Sequence, residues 1–523
     1  MKLVLRILDE RWLYFLGWWG MAAGLATGRA IVSISIMVLS GAWLFDGLYR
    51  KDFKQKWKAF TSNHPALLIT SMFTLYALSL LYSDGIESGL KVLNTLFPLL
   101  FLPMIYASMP ALSKKQVENI AWIHISFVLF STLLSYVVAS PELIAAEPRN
   151  ISLFVNHIRL SLLILMSLVL MLRFGWDKGA ALRIGVLLAS LWFLFFLWVI
   201  QSATGFAILL LLILVGSVYT LGRKGLARWM GIAGLVSVFG MTAWVTNSAA
   251  DYFDREVVDV NTLESQTALG NPYVHWPEYT LVENGHRLWL YVSMDEMKAA
   301  WAERSAMDPM EEDLKGQPLI GTLMRYLTSL DLRKDAEGVM TLSDEQILEI
   351  EQGVTSGVPS TKNGLGKRLD VLFYEIDAYR NGHDPSLSSF TRRLEYWKAG
   401  LSLFSQHPLI GIGAGNVHQE LDQEYDRSGV LASSAWHLIH NQFITFLACF
   451  GIIGFLWMLY VHYSPLRIPS LRKEVLYVAF LLVLSASYLA EDTLNTQAGL
   501  SFFIFYQGLC VLAVYRPEES TSS

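Results

Sequence analysis

The chain has 523 residues, 53% hydrophobic and 13% aromatic but only 16% charged, with a mean hydropathy of +0.40. Soluble domains carry nearer a quarter charged residues, so this composition excludes an ordinary soluble enzyme and indicates a polytopic membrane protein. Net charge is −5, yet residues 249–435 hold 30 Asp and Glu against 16 Lys and Arg, while the rest holds 15 against 24. A basic membrane part and an acidic long loop suit a loop that lies outside the cytoplasm. The two cysteines, Cys449 and Cys510, both fall in apolar runs, which excludes a disulfide framework or a thiolate metal site. The N-terminal apolar run lacks a cleavage-site pattern and reads as a retained helix.

Apolar runs fall at about 12–27, 30–48, 64–83, 89–107, 117–139, 157–173, 180–201, 203–221, 228–247, 436–461, 474–491 and 496–515. They predict about twelve spans, the first two divided closely by Gly28-Arg29. The connections alternate in charge. One set carries Arg50, Lys51, Lys54, Lys56 and Lys58, then Lys114 and Lys115, then Arg173, Lys178 and Arg183, then Arg223, Lys224 and Arg228, then Arg467, Arg472 and Lys473. The other carries Asp84 and Glu87, Glu142 and Glu147, the short Gln201-Ser202, and Glu491 with Asp492. Every second connection is basic, which places both termini in the cytoplasm by the positive-inside rule. The expected organisation is an all-α polytopic membrane protein. Residues 1–247 would form transmembrane helices one to nine, 248–435 a periplasmic loop domain, and 436–523 helices ten to twelve with a short cytoplasmic tail.

The long loop reads as mainly helical. Ser293-Met-Asp-Glu296 and Ser343-Asp-Glu-Gln346 have the form of capping boxes. Helices are predicted over 366–380, ending before Asn381-Gly382, and over 388–405, where Phe390, Leu394, Leu401 and Phe404 make one stripe. Leu288 to Val292 reads as a short strand.

The chemistry concentrates at the front of one apolar stretch, Trp436 to Tyr460, which is long enough to cross a bilayer as a helix at ~1.5 Å per residue. It has no acidic or basic residue, but His437, His440 and Asn441 stand at its mouth, with Gly451 and Gly454 deeper in. Ionisable groups at a membrane helix end tend to mark functional paths, and an imidazole titrates near neutral pH as a general base must. A His437–His440 metal site is the alternative, but no HExxH motif or third ligand accompanies it. A second cluster runs from Arg392-Arg393-Leu394-Glu395-Tyr396-Trp397 to His407-Pro408-Leu409-Ile410-Gly411-Ile412-Gly413-Ala414-Gly415-Asn416. The planar fork of Arg393 suits a lipid-linked phosphate, and a surface salt bridge with Glu395 or a loop acid is its ordinary alternative. The glycine series offers backbone N–H groups to an anion, or is simply a turn. It is not a dinucleotide fingerprint, since no strand–turn–helix unit surrounds it. The third cluster is Asn156-His157-Ile158-Arg159 at the mouth of the sixth span.

His440-Asn441 followed after nine residues by Gly451-Ile-Ile-Gly454 resembles the signature of the bacterial O-antigen ligase family, as do Arg393-x-x-x-Trp397 and His407 to Gly413 before it. The loop from Leu314-Lys-Gly-Gln-Pro-Leu through Arg325-Tyr-Leu-Thr-Ser to Leu332-Arg-Lys-Asp-Ala-Glu-Gly338 is similar to the Bacteroidetes-type branch. The resemblance implies a glycosyltransferase without nucleotide sugar, metal or other cofactor. It would move a glycan from undecaprenyl diphosphate to lipid A–core oligosaccharide, or to another glycan acceptor, at the periplasmic face of the inner membrane. Membrane lipid is the other expected partner; nucleic acid is not one. By the same resemblance His440 acts on the acceptor hydroxyl and Arg393 on the diphosphate as catalytic residues. Arg159, His157, Arg392 and Asn441 are expected to bind substrate, together with Trp397, Gly411 and Gly413. Family members often carry an arginine in a Ser-Arg-x-Gly stretch, where this chain has Ser202-Ala203-Thr204-Gly205; Arg159 is the expected substitute. The superfamily also holds O-antigen polymerases and protein O-glycosyltransferases. A lipid-linked glycan transporter is the alternative of another class, against which stand the lack of inverted repeats and of midplane charges.

Overall fold

Backbone polar groups in lipid find no solvent partner, so charge-free apolar runs close their hydrogen bonds internally as helices. The computed structural model of the protein describes residues 12–512 apart from 141–143, 145–147, 177, 254–257, 278, 280 and 359–364. Glu142, Glu147 and the C-terminal tail lie outside the described residues. Among the described residues nine helices are long and apolar enough to cross a membrane, from Arg29–Arg50 to Gln442–Arg467. Val475–Tyr488 and Gln497–Leu512 are shorter apolar helices, and Trp12–Thr27 is a helix of 16 residues. The protein is an all-α membrane protein; the strands found among the described residues are the pair Val282–Glu283 and His286–Arg287.

Packing divides the chain into two units, Met1–Val238 with Arg393–Ser523, and Phe239–Arg392; the sequence reading drew its loop from 248 to 435. The second unit closes its own core around Leu281, Met297, Trp301, Leu323, Tyr326 and Ile350. Its helices Asp344–Glu351 and Leu365–Arg380 fall where the sequence puts them, and Ser343 with Gln346 forms the full capping box. Ser293 does not. It precedes helix Met294–Arg304 without a side-chain cap, because Glu296 turns away to accept hydrogen bonds from Thr267 Oγ1 and Asn271 Nδ2. The strand expected at 288–292 is also displaced. The pairing is a hairpin just before it, turned by Asn284-Gly285 with both φ angles positive, the combination that a tight two-residue hairpin turn requires.

In the larger unit one helix decides the position of the site. Gln442–Tyr463 is apolar enough to span, but it is broken at Gly451, where φ is 61° and ψ −166°. In a straight helix Phe443 and Phe455 would stand ~18 Å apart; here their rings approach to 6.3 Å. The stretch from Trp436 is therefore not one straight spanning helix. A break inside lipid leaves carbonyls and N–H groups without partners, and the loop 408–413 supplies them. Ile412 N and Gly413 N donate to Ala448 O and Cys449 O at 2.9 Å each, while Ile452 N and Ile453 N donate to Pro408 O and Leu409 O at 2.8 and 3.3 Å. The loop then continues and docks on 79–85. Ala414 N donates to Ser79 Oγ at 3.2 Å, and Asn416 Oδ1 accepts from both Asp84 N and Gly85 N at 2.9 Å.

Candidate active site

The helix begins at Gln442, so His440 and His437 precede it rather than riding on it as the sequence suggested. Asn441 is the cap: its side-chain oxygen accepts from Phe443 N at 3.1 Å and Ile444 N at 3.2 Å. Capping by a short polar side chain satisfies two of the first orphan donors of the helix. His440 then stands in the left-handed region at φ 53°, a conformation uncommon outside glycine. It is held there by Asp492, whose Oδ2 accepts from His440 N at 2.9 Å and whose Oδ1 accepts from Thr445 Oγ1. The imidazole lies against Tyr396 and His437, with ring centroids 5.8 and 5.2 Å away.

The three sequence clusters meet at Glu491, which in the sequence stands only as a loop charge. Glu491 Oε1 is 3.5 Å from Arg393 Nη2; Glu491 Oε2 is 3.9 Å from Arg159 Nη2 and 3.7 Å from His440 Nδ1. At 3.7 Å the imidazole contact is electrostatic rather than a hydrogen bond, and His440 Nδ1 is buried without a hydrogen-bond partner. Burial works to raise the Glu491 carboxyl, but His440 and the guanidinium groups of Arg159 and Arg393 outweigh it and hold the group below its ordinary range. Asp492 is fully enclosed and goes the other way: burial pushes it up against the hydrogen bonds from Thr445 and His440 N.

Arg159 is buried, and its guanidinium is fixed by Thr493 Oγ1 at 3.1 Å and Thr496 Oγ1 at 3.2 Å. Gly499 leaves the room it needs, since a Cβ there would fall 2.9 Å from Arg159 Nη1. The helix of Arg159 also packs on the start of Ala203–Leu221, where Ser161 Oγ donates to Ser202 Oγ at 2.8 Å. Arg159 thus projects from the helix that packs on the Ser202-Ala203-Thr204-Gly205 stretch. His157 is in the first turn of the same helix, two residues earlier. Arg393 makes no salt bridge with Glu395, which pairs with Lys398 at 2.8 Å, but it does pair with a loop acid, Glu491, the other form of its ordinary alternative. Trp397, one turn further on, has a buried Nε1 without a hydrogen-bond partner. Arg392 belongs to the other unit, where its Nε donates to Ser388 O at 3.2 Å.

The glycines serve the backbone. Gly411 N is taken by His407 O and Gly413 N by Cys449 O, so neither N–H is open to an anion. Both have positive φ, and a Cβ at Gly411 would fall 2.3 Å from the Cys449 carbonyl carbon. Sequence spacing singles out Arg393, Arg159 and His440, and the structure brings them together around Glu491. The spacing passes over Glu491-Asp492-Thr493, although two adjacent carboxylates opening a short connection between apolar runs are a usable signal.

Residues 349–459 match the family model described as O-Antigen ligase. The match takes in Arg393, Trp397, His440, Asn441, Gly451 and Gly454; Arg159 and Glu491 lie beyond it. No curated protein matches the chain.

Proposed function

From the match of residues 349–459 to the O-antigen ligase family model, we propose that the protein is a glycosyltransferase of the bacterial inner membrane. It moves a glycan from undecaprenyl diphosphate to lipid A–core oligosaccharide at the periplasmic face. The observation that carries the reading is the meeting of two guanidinium groups and an imidazole, from three distant stretches of chain, around Glu491. A diphosphate is already a good leaving group, so catalysis needs orientation, charge stabilisation and a base.

The acceptor oxygen attacks the anomeric carbon, and the bond from that carbon to the phosphate oxygen breaks. The hydroxyl proton passes to His440, and undecaprenyl diphosphate leaves with the bonding pair, its charge met by Arg393 and Arg159. Glu491 beside Nδ1 favours the imidazolium that results. Asp492 fixes the backbone from which the imidazole projects.

Purified protein in detergent should join lipid-linked glycan to acceptor, which a transporter cannot do. Arg393→Lys should lose most of that activity, because an ammonium keeps the charge but not the two-pronged fork. Arg392→Lys should be mild, since Arg392 is engaged with Ser388 O. Equal tolerance at both positions would return Arg393 to the surface-charge reading. A deletion strain separates ligase from polymerase: intact lipid A–core bare of all long chains marks a ligase, and a single repeat on the core marks a polymerase.

A further inference from the structure

Three ion pairs elsewhere among the described residues are short. Lys56 meets Asp46 at 2.7 Å, Arg325 meets Glu283 at 2.8 Å and Arg173 meets Glu474 at 2.9 Å, the range of charge-assisted hydrogen bonds. Glu491 is held differently. Its contacts to Arg393, His440 and Arg159 are 3.5, 3.7 and 3.9 Å, so one carboxylate is shared by three partners and accepts from them only one long hydrogen bond, from Arg393 Nη2. The buried arginine does not depend on it for position, because Thr493 and Thr496 fix that guanidinium and Gly499 gives it space.

We propose that Glu491 is an intramolecular competitor for the diphosphate: its carboxylate lies where phosphate oxygens would be held by Arg159 and Arg393 together, and it yields the arginines, while keeping its place beside His440, when the donor binds. This rests on the donor reading given above. A carboxylate and a phosphate offer a guanidinium the same pair of acceptor oxygens. Two anions within ~4–6 Å of each other repel, so both cannot keep the position. The consequence falls on the product as much as on the donor. Undecaprenyl diphosphate remains on the arginines after transfer, and a tethered carboxylate that returns to them speeds its departure. It also keeps free phosphate and other small anions from occupying the site.

The test uses the full-length protein in detergent and inorganic pyrophosphate as the probe, read by calorimetric titration and by the rise in Tm with pyrophosphate. Glu491→Gln should bind pyrophosphate roughly ten- to a hundredfold more tightly than wild type, the equivalent of one charge-assisted contact no longer opposed. Its Tm should also rise more steeply with added pyrophosphate. Glu491→Asp, which keeps the charge and shortens the reach, should show a smaller gain, and it carries the test alone where the Gln variant does not purify. Unchanged or weaker binding in the Gln variant, or wild-type affinity in Asp where only that variant purifies, overturns the proposal and makes Glu491 a structural ion-pair partner. The donor reading fails separately: it falls where neither wild type nor Glu491→Gln binds pyrophosphate, or where Arg393→Lys and Arg159→Ala leave binding unchanged.

Discussion

His440→Ala should slow glycan transfer by ~10²–10⁴-fold, the usual contribution of a positioned general base. Glu491 lies beside the imidazole and is held ionised by its cationic neighbours. His437 supplies the contrast. Its ring lies 5.2 Å from that of His440, but its backbone oxygen, not its side chain, accepts the Tyr425 hydroxyl at 2.8 Å. His437→Ala keeps that bond and should retain substantial activity. The left-handed backbone at His440 complicates a simple reading of the Ala variant, since Ala resists that conformation more than Asn does. His440→Asn therefore serves as the second variant: it tolerates the backbone and has no base, so it should be as slow as Ala with better stability. Rates are measured with purified variants at matched protein levels across pH ~5–9, the range in which an imidazole titrates. Full activity in either variant removes His440 from the chemistry. Dependence on a divalent metal, with equal losses at His437 and His440, would favour a metal site.

Residue type and spacing carried the sequence reading a long way. Apolar runs without charge have one stable form in lipid, so the helices were legible at once. The capping box at Ser343 was legible because both of its bonds are local, and that at Ser293 failed because Glu296 found distant partners in Thr267 and Asn271. The hairpin at Asn284-Gly285 was readable but overlooked in favour of the more apolar 288–292. At the site, His440, Arg393 and Arg159 were found because imidazoles and guanidiniums at membrane helix ends need a reason. The adjacent carboxylates of Glu491 and Asp492 were a signal in the sequence, but the partners of Glu491 come only from tertiary convergence. The glycines misled for a physical cause: an exposed N–H suits an anion, but whether a neighbouring carbonyl already takes it is a matter of folding. Gly413 N goes to Cys449 O, a residue 36 positions away.

Gly451→Ala should unfold the site. At φ 61° and ψ −166° the backbone is in a region open to glycine almost alone, and a side chain there costs about 1–3 kcal/mol in strain. The added Cβ would also fall 2.3 Å from both the carbonyl carbon and the oxygen of Leu409, which are backbone atoms and cannot rotate aside. Relief requires the loop 408–413 to withdraw, and with it go the hydrogen bonds from Ile412, Gly413, Ile452 and Ile453, each worth ~1 kcal/mol and more when the orphaned groups face lipid. The total is on the order of 3 kcal/mol or more, a large share of the stability of a membrane domain. Gly185→Ala is the control, because a Cβ there meets nothing within 4 Å and alanine is the better helix former. Melting in detergent should show Gly451→Ala well below wild type and Gly185→Ala at or above it, with transfer lost in the first and kept in the second. A Gly451→Ala protein that melts and turns over like wild type would mean that the break is not needed. The expectation is the reverse. The break turns the half-helix Gln442–Phe450 away from the course of the rest, and the start of that half-helix is what sets His440 beside Glu491 and Asp492.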